Sequence, residues 1–111
     1  MFSGNPTVSV LYTSIIATRN INNAIFCDVD AYPNAVTVSW NITLDDTVVV
    51  HTGAATGKYD AVSPSSPKLI VKAPGFADNG VYVCIAENEF GFGIGAEVTF
   101  SVYGGRSVEP Q

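Results

Sequence analysis

Asp78-Asn79-Gly80-Val81-Tyr82-Val83-Cys84-Ile85-Ala86-Glu87-Asn88 is the stretch on which the fold turns. From Val81 to Glu87 the residues divide by parity, with Tyr82, Cys84 and Ala86 on one side and Val81, Val83 and Ile85 on the other. A period of two belongs to a β-strand, whose successive side chains point to opposite faces. Asp78-Asn79-Gly80 ahead of it are turn residues, the first two able to bond their own backbone and the third free of a Cβ.

Working outward, the same alternation between turn clusters recurs, and no window holds apolar residues at helical spacing over three turns. The expected strands are Pro6 to Leu11 (A), Ser14 to Ala17 (A′), Ala24 to Val29 (B), Val36 to Thr43 (C), Thr47 to Thr52 (C′), Gly57 to Val62 (D), Lys68 to Lys72 (E), Val81 to Glu87 (F) and Ala96 to Tyr103 (G). Short strands at this spacing predict an all-β, two-sheet sandwich. With Cys27, Trp40 and Cys84 facing inward, Ile25, Val29, Val36, Val38, Ile42, Tyr82 and Ala86 follow them by alternation. Leu69 and Val71 of E and Val98, Phe100 and Val102 of G complete an apolar core, whereas a one-residue slip would bury Asp28, Thr37, Ser39 and Asn41.

Composition bounds the function. A chain of 111 residues is one domain, and 14% charged residues with a mean hydropathy of +0.26 exclude a disordered tail. Five basic against ten acidic side chains, net −5, exclude a nucleic-acid partner, which requires clustered Lys and Arg. Residues 1–18 carry no charge, but Gly4, Asn5, Pro6, Ser9, Thr13 and Ser14 break them into pieces too short for a signal peptide or a membrane span. The domain is placed at 6–103, between an N-terminal extension at 1–5 and a small, polar C-terminal linker at 104–111, both ends reading as cuts from a longer protein.

Cys27, Trp40 and the run from Asp78 to Cys84 together resemble the framework of an immunoglobulin domain. The resemblance covers about Pro6 to Tyr103, and it implies a Greek-key sandwich with a Cys27–Cys84 bridge between the sheets. It also implies Trp40 packed on that bridge, a Tyr82 hydroxyl bonded back to backbone near Asp78, and Leu69 in the core. Ile85-Ala86-Glu87-Asn88-Glu89-Phe90-Gly91 is similar to the matching run of I-set domains. Phe92-Gly93-Ile94-Gly95-Ala96 is similar to the bulge that opens strand G in variable domains, and Lys58 to the basic residue that pairs there with the counterpart of Asp78. The set is therefore variable-like or I-set. Two reduced thiols, as in the intracellular immunoglobulin domains of muscle filament proteins, are the alternative. Sparse charge and the sequon Asn41-Ile42-Thr43, which makes Asn41 a glycosylation candidate, favour the disulfide and an extracellular location.

No catalytic constellation can be assembled, so no enzyme, metal or cofactor is expected. His51 lacks triad or metal partners and reads as a solvent-facing residue of C′. Asp45-Asp46 reads as a turn, Asp28 and Asp30 as the solvated face of B, and Gly91 to Gly95 precedes no helix. Two surfaces remain. Thr37, Ser39, Val83, Ile85 and Tyr103, with Asn41, Thr99 and one parity of Val48 to Val50, are expected to share the outer face of the C, C′, F and G sheet, through which variable-type domains dimerise. The loops Ala31 to Asn34, Thr52 to Thr56 and Glu87 to Phe92 are expected to cluster at one end. There Tyr32 and Phe90 are exposed, Glu87 and Glu89 make an acidic tip suited to a basic partner, and Phe92 packs at the start of G.

The resemblance implies a protein-recognition module from the ectodomain of a cell-surface receptor, receptor tyrosine kinases being one type, or of an adhesion molecule. Its partner is a protein ligand or a second copy in a homodimer, and a membrane is met only through flanking segments. A structural spacer of an intracellular filament protein and a secreted immune-type binding protein are the competing readings.

Overall fold

The computed structural model describes residues 4–35, 37–45 and 47–104. The expectations for Val36 as a core residue, for Asp46 in the C–C′ turn, and for 1–3 and 105–111 lie outside the described residues. The described residues form ten strands: β1 Thr7–Val10, β2 Ser14–Thr18, β3 Asn23–Ile25, β4 Cys27–Asp30, β5 Thr37–Thr43, β6 Val48–His51, β7 Leu69–Val71, β8 Gly80–Asn88, β9 Gly91–Ile94 and β10 Val98–Tyr103. One layer is a six-stranded sheet in the order β2-β10-β8-β5-β6, with β9 continuing the β10 side along β8. The other layer is the pairs β1–β4 and β3–β7, joined end to end through Phe26. This is an all-β, immunoglobulin-like two-sheet sandwich, and a Cys27–Cys84 disulfide bridges its layers.

The core sits where the alternation places it. Ile25, Val38, Trp40, Ile42, Leu69, Val71, Tyr82, Cys84, Ala86, Val98, Phe100 and Val102 are buried, and Val29 is half-buried against them. The Trp40 indole N–H donates to the Pro67 carbonyl at 2.8 Å, so the one polar atom of this ring is satisfied inside the sandwich. The Tyr82 and Phe100 rings lie 5.1 Å apart and tilted, a favourable aromatic pair.

Several boundaries differ from the pattern. Strand B is two strands, because its first half pairs with β7 and its second with β1, and the exposed Phe26 marks the change of partner. Expected strand D does not form as a strand. Its residues 57–62 make only the isolated bridges Tyr59 to Val71 and Val62 to Gly53. Strand G begins at Val98 rather than Ala96, and a further strand precedes it: β9 pairs Ile94 with Ile85, while β10 pairs Val98 with Tyr82, leaving one extra residue between them. That is the bulge read from the glycines, closed by Gly95 N–H donating to Cys84 O at 2.9 Å. His51 is buried rather than solvent-facing, because the register sets it opposite Trp40 and so gives it the same inward parity. Its Nε2 donates to the Asp60 carbonyl at 2.8 Å, and its ring lies 5.2 Å from that of Tyr59.

Candidate protein-binding surfaces

The outer face of the large sheet is built by cross-strand register. Thr37, Glu87 and Phe92 form its top row, Ser39, Ile85 and Ile94 the next, then Val50, Asn41 and Val83, and then Val48, Thr43, Val81 and Thr99. The parallel pairing of β2 with β10 adds Ser14, Ile16 and Thr18 beside Thr99, Ser101 and Tyr103. Thr37, Ser39, Val83 and Ile85 thus come together as expected neighbours, whereas Tyr103 shares the face but stands at its far lower corner. Val48, Val50, Phe92, Ile94, Ile16 and Tyr103 are all exposed; Glu87 is charged, and the exposed Glu97, of the same outward parity as Thr99 just ahead of β10, adds a second carboxylate. The Glu87 carboxylate accepts a bond of 3.5 Å from Thr37 Oγ1. The apolar side chains of this face flank a polar column, Thr37, Ser39, Asn41 and Thr43, on β5, and exposed apolar groups gathered on one sheet face mark a candidate contact surface.

Phe92 joins this face against expectation, with Ile94 beside it. Phe92, on β9, is 56% exposed rather than packed at the start of strand G. The signal was present in Gly91-Phe92-Gly93-Ile94-Gly95, where every second residue lacks a side chain. The N-terminal segment lies across that glycine parity: a Cβ at Gly93 would collide with the Pro6 carbonyl, and one at Gly91 would meet Asn5 Nδ2 at 2.9 Å. The large residues are therefore turned outward.

The tip is smaller than the loop pattern suggests. Glu87 and Asn88 belong to β8 and Gly91 and Phe92 to β9, so residues 87–92 close as a hairpin with Glu89 and Phe90 alone in the turn. Tyr32, Phe90 and Glu89 are exposed there. Residues 52–56 do not join them, because Thr56 is held by the Tyr59 carbonyl at 2.7 Å and by Lys72 Nζ at 2.8 Å on the β7 side. The neighbour of the 31–35 loop is instead Pro64-Ser65, across a shallow depression of about 360 Å³. The organiser of the tip is Asn88, a residue quoted from the sequence only within the run similar to I-set domains and given no role there. It continues the inward parity of Tyr82, Cys84 and Ala86, and a polar residue at that parity is the signal that could have found it. Its Nδ2 donates to the carbonyls of Gly4 at 2.7 Å and Pro33 at 3.0 Å, and its Oδ1 accepts the Phe90 N–H at 2.9 Å.

Opposite the tip, Lys58 Nζ lies 2.9 Å from Asp78 Oδ2, which also accepts the Gly75 N–H at 2.8 Å. The Tyr82 hydroxyl donates to Asp78 O at 2.6 Å. Burial pushes the Tyr82 phenol far above its ordinary range, helped by the neighbouring Tyr59 and the Asp78 charge, and burial followed by Asp78 raises Tyr59. These groups are structural, bonded to backbone and to one another. Asn41 occupies the centre of the apolar face between Val50 and Val83, half-buried, with Thr43 exposed beside it. Among the described residues no three His, Cys, Asp or Glu side chains gather as metal ligands. No family model matches the chain, and no curated protein matches it.

Proposed function

We propose that this chain is an immunoglobulin-superfamily recognition module from the ectodomain of a cell-surface receptor or adhesion molecule. It associates through its six-stranded sheet, whose apolar outer face receives a protein partner and which also pairs with a second copy. The observation that carries the reading is the set Phe92 and Ile94 of β9, Ile85 and Val83 of β8 and Val50 and Val48 of β6, apolar side chains turned to the outer face on either side of the polar column Thr37, Ser39, Asn41 and Thr43 of β5. The Cys27–Cys84 disulfide supports an oxidising, extracellular setting. The exposed Tyr32 and Phe90 beside Glu89 extend the contact area at the tip and suit a partner with basic groups.

Sedimentation equilibrium of the disulfide-intact chain from low to high micromolar concentration tests the association. The expected result is a reversible rise toward the mass of two chains. A mass of one chain at every concentration refutes it.

A further inference from the structure

The strand at the edge of this sheet is built for pairing. The Leu44 N–H donates to the Thr47 carbonyl at 2.8 Å, which makes Leu44 and Thr47 a hydrogen-bonded pair at the start of the β5–β6 ladder. Antiparallel ladders alternate, so Ile42–Val49 and Trp40–His51 are the next bonded pairs, and Thr43–Val48 and Asn41–Val50 are the unbonded ones. The N–H and C=O groups of Val48 and Val50 therefore point away from β5, and among the described residues no strand lies on that side of β6. Natural edges are blunted by lysine, proline, a bulge or a covering loop. Thr47-Val48-Val49-Val50-His51-Thr52 has no proline and no formally charged side chain, and His51 is turned into the core.

We infer that β6 is a homophilic docking edge, pairing antiparallel with β6 of a second copy about a two-fold axis at Val49. The occupant is a second copy because the edge is complementary to itself. Val48 of one copy exchanges both backbone bonds with Val50 of the other, and Val50 with the other's Val48, giving four bonds with no like charges opposed. A two-fold operation closes after two chains, so it yields a dimer and not a fibre. The antiparallel arrangement sets the exposed Asp45 of one chain beside the uncharged Thr52-Gly53 end of its mate. Residues opposite each other in the new ladder share a face, so the exposed Val48 and Val50 side chains of both copies, 65% and 63% accessible, meet on the outer side. Two apolar faces thereby merge into one platform of doubled width, open to a protein ligand.

This inference rests on the proposed association through the sheet, and it differs from face-to-face packing in which atoms are used. Val50→Pro removes one edge donor while leaving the β5-directed bonds of Thr47, Val49 and His51, and proline is tolerated where the N–H faces outward. Ile85→Lys charges the face and leaves the edge intact. In sedimentation equilibrium, Val50→Pro is expected to weaken dimerisation at least tenfold and Val50→Thr to retain it. In the unmodified protein, amide exchange at Val48 and Val50 is expected to slow as concentration rises through the dimer range. That readout holds even if the proline variant fails to fold. A dimer abolished by Ile85→Lys, with Val48 and Val50 exchanging freely at every concentration, overturns the edge and leaves face pairing. A protein that is monomeric throughout overturns both.

Discussion

Asn88→Ala removes three hydrogen bonds at once from a side chain only 3% exposed: to Gly4 O at 2.7 Å, to Pro33 O at 3.0 Å and from Phe90 N at 2.9 Å. A neutral intramolecular bond contributes about 1 kcal/mol net, and the two carbonyls and one N–H left behind lie at the rim, where water reaches them in part. The expected loss is therefore about 3 kcal/mol, which for a domain of this size lowers Tm by about 15 °C. Asn88→Asp retains the acceptor for Phe90 but sets a carboxylate oxygen against two carbonyls, so at neutral pH it is expected to be at least as damaging. Urea unfolding with the disulfide intact measures both variants. The midpoint should fall at constant slope, because the surface exposed on unfolding is unchanged. Glu89→Ala, one residue away and exposed, serves as the reference and should lie within about 0.5 kcal/mol of the parent. The Phe90 amide resonance should also move, since its acceptor is gone. An Asn88→Ala variant within 1 kcal/mol of the parent, with Phe90 unshifted, refutes the view that this side chain ties the N-terminal segment, the 31–35 loop and the hairpin turn into one tip.

Alkaline pH supplies a second prediction. The Tyr82 and Tyr59 phenols are raised above their usual value of 10.0 in the folded chain, so below that pH their contribution is fully present, and above it the unfolded state releases protons that the native state keeps. Stability should fall beyond about pH 10 at up to about 1.4 kcal/mol per pH unit for each phenol, and Tyr82→Phe should remove its share of that slope. Denaturant midpoints that do not change between about pH 10 and 11.5 would contradict it. Replacing both Cys27 and Cys84 with alanine opens a loop spanning 57 residues and should cost about 4 kcal/mol by chain entropy. A double variant within about 1 kcal/mol of the parent would show that the bridge adds little to the packed core.

Much of the molecule is legible in one dimension because its core follows a period of two. Tyr82, Cys84 and Ala86, and equally Val38, Trp40 and Ile42, are buried because alternation with turn punctuation leaves one economical register. The outward position of Val83 and Ile85 follows from the same rule. Whatever depended on which strand lies beside which was not legible. The inward turn of His51 is set by its pairing with Trp40, and the exposure of Phe92 by the N-terminal segment lying against the glycines of β9. The loss of residues 52–56 from the tip comes from the bonds of Thr56 to Tyr59 and Lys72.

The sequence by itself determined the strand periodicity, the inward set, the sandwich and the residues of its framework, since each is a local pattern tied to burial. Tertiary structure alone decided which valines of β6 face out, that no strand among the described residues covers its far edge, and that Asn88 fastens the tip. Those are matters of register and of contact between segments far apart in the chain, and no local preference encodes the partner a backbone group will meet.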